Sequence, residues 1–233
     1  MTAPGAAEQP LKAEAQPVLD PWTQWCLFAT LLVSFAYFHV GGGPSQNSRF
    51  ALTRAMVRHA SLTIDAYQGE TMDKAVRQGR FYCDKAPGLA AAAIPGYALS
   101  LLIPLPACAP GVFAELQARL HVATVLSVGV VSAWAGVALF RLLMSLGAGR
   151  AGALAATLAW ALGTPAFVYA AAFMSHQFVA ALLVIALEMA CRVAESKRPL
   201  ALAAGAGALA ALAVTSEYPA AVMGLMLFVF VWA

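Results

Sequence analysis

The sequence predicts an all-α integral membrane protein, a polytopic bundle of about six transmembrane helices with one large external loop that carries amphipathic helices. Three observations predict it. Hydrophobic residues make up 61% of the 233 residues and charged residues 11%, with a mean hydropathy of +0.75, far from the balance of soluble domains. Six apolar runs, residues 22–40, 120–140, 151–171, 175–191, 200–216 and 218–233, hold one charged residue among them, Glu188. Between the first two lies the only long polar segment, 44–87, with seven of the fourteen Lys and Arg residues together with Asp65, Glu70, Asp73 and Asp84. The net charge of +3 is concentrated in that loop and at the ends of apolar runs, so the membrane surface and not nucleic acid is the expected partner of the basic residues.

Residues 1–21 mix Ala, Pro, Gln and Glu without apolar periodicity and read as a disordered tail that lacks the features of a signal peptide. Residues 22–40 span about 28 Å at roughly 1.5 Å each, enough for a first transmembrane helix. Trp22 and Trp25 stand at one interface, Tyr37, Phe38 and His39 near the other, and Gly41 to Pro44 end it. The external loop is 41–118. Within it Arg49 to His59 has the spacing of an amphipathic helix lying on the membrane surface. Residues 61–84 are turn-rich, and 87–105 is apolar but broken by Pro87, Pro95 and Pro104, so it is expected to lie at the interface or re-enter without crossing. Residues 119–233 form the rest of the bundle, in which Gly205 and Gly207 among alanines let helices approach closely.

Charge placement sets the topology. The short loops 141–150 and 192–198 hold Arg141, Arg150, Arg192, Lys197 and Arg198, and short basic loops prefer the cytoplasm. With 87–105 not crossing, both basic loops lie inside, and the polar loop, the Met174 to Gln177 turn and the Ser216 to Tyr218 turn converge outside. With it crossing, the basic loops would lie outside. Glu188 is accounted for by an ion pair with Arg192, four residues on. Glu217 near a helix end needs a partner or water, because a carboxylate at the bilayer centre costs about 2.5–3.5 kcal/mol on insertion scales.

Four scattered cysteines exclude a zinc site or disulfide framework. Cys26 and Cys191 read as small buried hydrophobes, and Cys83 could pair with Cys108 in an oxidising compartment. No His or carboxylate stands at ligand spacing near His176, so neither a metal nor another cofactor is indicated.

The motifs S-Q-N-S-R-F, I-D-A-Y, D-K-A-P-G, M-S-H-Q and S-E-Y-P, in the order one helix, long loop, helical bundle, resemble the polytopic GT-C glycosyltransferases, most of all the bacterial relatives of protein mannosyltransferases and aminoarabinose transferases. The resemblance covers most of residues 22–233. It implies transfer of a sugar from a polyprenyl-phosphate carrier on the external face of the bacterial cytoplasmic membrane, within a multi-pass bundle whose cavity lies below the external loop. Such chemistry needs fixed cations for the phosphate and a base for the acceptor hydroxyl. Lys85 occupies the place of the family's K-P-P lysine and Arg49 that of its R-Y arginine. Gln46 and Asn47 stand where relatives carry an acid, which leaves Asp65, Asp73 or Asp84 as proton acceptor. Asp65 is favoured over Asp73, because it follows the apolar Leu62-Thr63-Ile64 strip, where its pKa would be raised. Asp84, His176 and Glu217 join Arg49 and Lys85 as expected substrate-binding residues.

Each residue also has a plainer reading. Asp65 and Asp73 suit turns or caps, Lys85 could snorkel, His176 could be interfacial, and Glu217 could end one helix before Pro219 opens the next. Arg54, Arg58, Arg77 and Arg80 suit lipid headgroups or a solvated face. Members of the resembled superfamily are longer, so a partner subunit or a missing C-terminal portion is expected. Two other classes stay open: a non-catalytic module binding polyprenyl lipid or a partner, and a transporter fragment.

Overall fold

A computed structural model describes residues 20–104 and 112–232. The expected tail, up to residue 19, and Cys108 lie outside the described residues. Of the described residues 75% are helix and 3% strand. Its helices are α1 (Pro21–Tyr37), α2 (Pro44–His59), α3 (Gly88–Ala92), α4 (Ile94–Ser100), α5 (Val112–Thr124), α6 (Val130–Ser145), α7 (Arg150–Gly163), α8 (Pro165–Ala170), α9 (Ser175–Cys191), α10 (Pro199–Ser216) and α11 (Ala221–Trp232). A π-turn, Val125–Gly129, joins α5 to α6 without interruption. There Thr124 and Ser127 direct their hydroxyls back to the carbonyls of Leu120 and Ala123, a local bonding pattern that bends helices.

Among the described residues two helices are long and apolar enough to cross a membrane, the continuous stretch Ala114–Ser145 and α10; α9 and 218–232 are apolar but shorter. The expected span 151–171 is divided. Thr164 is extended (φ −124°, ψ 174°) because Pro165 follows it, and its hydroxyl caps the short α8 at the Ala166 amide. Residues 87–104 likewise form two pieces: α3 and α4, of 5 and 7 residues, reach only about 8 and 10 Å at 1.5 Å per residue.

In the bundle α9 packs between α6 and α10, α1 and α7 lie on α6, and α11 lies on α9 and α10. Leu27, Leu31 and Phe35 of α1 meet Val137 and Phe140 of α6 and Ala153 and Ala161 of α7. Gly205 of α10 faces Met189 of α9 as a close-packing position should, whereas Gly207 meets open space. Cys26 and Cys191 are exposed free thiols and not the buried hydrophobes expected, because each lies on an outward helix surface. At one end of the bundle Arg141 bonds Gln24 and approaches Glu188, Arg192 pairs with Glu188 (3.0 Å), and Arg150 bonds Thr23.

The polar segment builds a cap over the other end. Helix α2 begins five residues before the expected Arg49, with Pro44 in its first turn, and ends where Ala60 turns left-handed (φ 47°). It does not lie on a surface: Phe50, Ala51, Leu52, Thr53 and Ala55 are buried, since small residues admit α3, and the Thr53 hydroxyl reaches the Ala90 carbonyl (2.9 Å). A 3-10 turn (Asp65–Glu70) and an antiparallel hairpin, β1 (Ala75–Arg77) and β2 (Arg80–Tyr82), complete the cap. The all-helical expectation missed the hairpin, whose signal is Gln78-Gly79 between V-R and R-F-Y. Both turn residues take positive φ (51° and 75°), as a two-residue hairpin turn requires. Phe50, Leu89 and Tyr97 of the cap share one core with Leu120, Phe173, Phe178 and Leu182 of the bundle, so cap and bundle form one packed unit.

Candidate functional site

The site lies where the cap meets the first residues of α9 and the last of α10. Arg49 projects from α2 and is 5% exposed. Its Nη1 donates to Ser45 Oγ (2.6 Å) and its Nη2 to Ser175 Oγ (2.7 Å), while Nε has no partner among the described residues. No carboxylate among the described residues pairs with it directly. Burial pushes its pKa down, opposed by the more distant carboxylates of Glu217, Asp84 and Asp73, but a guanidinium starts so high that it stays charged.

Ser175, the first residue of α9, passes the contact on by donating to Glu217 Oε1 (2.7 Å). The same oxygen accepts from His176 Nδ1 (2.6 Å), and Tyr169 stands edge-on to the imidazole at 5.5 Å. The result is one chain, Arg49 to Ser175 to Glu217 to His176, with half of the His176 side chain open. Glu217 reaches it because α10 ends at Ser216 and Glu217 itself is extended. The N-terminus of α9 turns its positive dipole toward the same point.

Lys85 lies between Asp84 (2.7 Å) and Asp73 (3.2 Å), and its hydrogen bond to Asp84 holds its pKa above the usual lysine value. The cluster then counts two fixed cations, Arg49 and Lys85, against three carboxylates, Asp73, Asp84 and Glu217, a balance of −1. Lys85 is already compensated twice. Arg49 is the cation left for a ligand. Gln46 Oε1 and Gln177 Nε2, on side chains each less than 10% exposed, also have no partner among the described residues.

Gly88 holds the Lys85 strap in place. A Cβ there would stand 2.6 Å from Ser216 N and 2.7 Å from Thr215 C, backbone atoms that cannot yield as a side chain would. Gly88→Ala should therefore destabilise the protein by about 1–3 kcal/mol. Thermal unfolding in detergent checks this, with Gly205→Ala as the milder control because only the flexible end of Met189 opposes it.

Asp65 lies elsewhere. Its Oδ1 accepts the Phe81 amide (2.7 Å) and its Oδ2 faces Arg80 (3.4 Å), so it ties the 3-10 turn to β2. The expected raised pKa is corrected: the Phe81 amide holds the carboxyl below its usual range, and the side chain is 40% exposed. The structure thus brings together Arg49, Asp73, Asp84, Lys85, His176 and Glu217 and leaves Asp65 at the start of the 3-10 turn, bonded to the hairpin. Sequence reasoning missed Ser175 and Gly88, whose signals were a small polar residue opening an apolar helix and the last letter of D-K-A-P-G.

Among the described residues no group of three His, Cys, Asp or Glu side chains is arranged to hold a metal. Comparisons of the chain with family models, with curated proteins and with solved structures give no match, so its function has to be argued from this geometry.

Proposed function

We propose that the protein is a membrane glycosyltransferase of the GT-C type that transfers a sugar from a polyprenyl-phosphate carrier to an acceptor hydroxyl. The observation that carries the reading is Arg49: a buried guanidinium without a direct carboxylate, joined through Ser175 to a carboxylate and imidazole pair. The acceptor oxygen attacks the anomeric carbon and the bond from that carbon to the phosphate oxygen breaks. The lipid phosphate leaves with the electron pair, and Arg49 stabilises the charge it gains. The acceptor's proton passes to His176 Nε2, because Glu217 holds Nδ1 and thereby fixes the imidazole's orientation. Asp73 and Asp84, both tied to Lys85, position that lysine beside the phosphate.

Lipid accounts for the outer surface. On α11, Val222, Met223, Leu225, Met226, Phe228, Val229, Phe230 and Trp232 are all at least 50% exposed. At about 1.5–3 kcal/mol for fully burying each such side chain, leaving this much of them in water would forgo roughly 7–15 kcal/mol, comparable with a domain's whole stability. A bundle of about six spans in the bacterial cytoplasmic membrane, several of them short or broken, would bury these faces in acyl chains. An apolar groove of about 380 Å³ between α9 and α11, lined by Leu183, Leu187, Met226 and Phe230, begins eight residues along α9 from Ser175, about 12 Å at 1.5 Å per residue. It suits the polyprenyl chain of a donor whose phosphate lies at Arg49.

With the Arg141, Arg150 and Arg192 end inside, the cap faces outward. With the native cysteines replaced by Ser, an impermeant thiol reagent applied to intact cells should label Lys85→Cys and neither Arg150→Cys nor Lys197→Cys; labelling of Arg150→Cys or Lys197→Cys would reverse the orientation. A second reading, a non-catalytic polyprenyl-phosphate binder, is favoured by the amides at Gln46 and Asn47, which cannot act as bases. Proteoliposomes supplied with a polyprenyl-phosphate sugar separate the two: turnover supports the transferase, and tight binding without turnover supports the binder.

A further inference from the structure

We infer that a second anion site, distinct from Arg49, binds the phosphate of an anionic membrane lipid in a cleft between α2, α4 and α5. The cleft measures about 210 Å³, several times the volume of a water and below that of a drug-sized pocket, which suits a headgroup. Arg54, Arg58 and Arg119 line it with Tyr67, Tyr97 and Glu115.

Each guanidinium is held in place. Arg54 stacks on Tyr67 at 3.8 Å and pairs with Glu70. Arg58 donates its Nε to the hydroxyl of Tyr97 (2.9 Å), a ring that is itself 1% exposed. Arg119 donates its Nε to Glu115 (2.8 Å) and its Nη1 to the Ser100 carbonyl. Both Nη atoms of Arg58 and Nη2 of Arg119 have no protein partner among the described residues. Three cations against Glu70 and Glu115 leave a balance of +1, opposite in sign to the cluster around Arg49. Forks fixed before binding lose little entropy when they close on a phosphate.

Exposed apolar side chains on the segment that holds Arg119 point to the source of the phosphate. Leu99, Leu102 and Ile103 flank Ser100, whose carbonyl holds Arg119, and are 48%, 79% and 42% exposed. A charged cleft tied to an exposed apolar segment fits an amphiphile better than a free anion. The inference rests on the membrane reading above but not on sugar transfer.

The test is retention of phosphatidic acid by the purified full chain in neutral detergent, followed by native mass spectrometry, with phosphatidylcholine as the control lipid. The wild-type protein should retain phosphatidic acid and not phosphatidylcholine. Arg58→Ala, with its fold checked by thermal unfolding because it leaves the Tyr97 hydroxyl without this donor, should lower retention about tenfold, the loss of one charged partner. Measured in the Arg49→Ala background, which removes the proposed donor site, Arg58→Ala should lower retention by the same factor, which separates the two sites. Equal retention of both lipids, or no effect of Arg58→Ala in that background, would overturn the site. Displacement by excess inorganic phosphate would overturn the lipid assignment in favour of a free anion.

Discussion

His176→Ala should lower turnover of a polyprenyl-phosphate sugar about 10²–10⁴-fold while donor binding stays nearly unchanged. That range is what a positioned general base contributes. The imidazole is the group of the cluster with an open edge: Nδ1 is taken by Glu217 at 2.6 Å, and half of the side chain is accessible. Glu217→Gln should give a smaller loss, since the amide can still present an oxygen to Nδ1 but no charge to stabilise the imidazolium. Asp65→Asn should be close to neutral for turnover, because that side chain serves the Phe81 amide in the hairpin. Parallel kcat and binding measurements on the three variants check this order. A large loss in Asp65→Asn with His176→Ala near wild type would return the base to the loop.

Arg49→Ala should weaken donor binding by at least about 100-fold. Hydrogen bonds to charged groups contribute about 1.5–3 kcal/mol each, and the free Nε together with the remaining Nη hydrogens can supply two to one phosphate. Arg49→Lys should recover little, because an ammonium is a point charge that cannot bond Ser45, Ser175 and a phosphate together in the same plane. Lys85→Ala should be milder than Arg49→Ala, since Asp73 and Asp84 already compensate that lysine. Circular dichroism and thermal unfolding of each variant separate lost binding from lost fold.

Local physics made part of this legible. The polar segment, its helix around Arg49, the breaks at the prolines of 87–104 and the Glu188 pair with Arg192 all follow from neighbours within a few residues. The cluster itself depends on distant partners: Arg49 meets Ser175 across 126 residues, and Ser175 meets Glu217 across 42. No spacing rule reveals a hydroxyl shared that way. Asp65 was misread because the Leu62-Thr63-Ile64 strip promised an apolar setting. The strip's buried member is Ile64, whose amide bonds Phe81, and the next residue is thereby drawn to β2. The division at Thr164 was legible in Thr-Pro, but the uninterrupted apolar run concealed it.

The claim that Arg49 is the cation for a lipid phosphate is tested most directly by titrating a short-chain polyprenyl phosphate with the purified protein in detergent and following the phosphorus resonance by ³¹P NMR. The account predicts a saturable shift with the wild-type protein that is lost in folded Arg49→Ala and retained in His176→Ala. The same shift in wild type and in folded Arg49→Ala would contradict it.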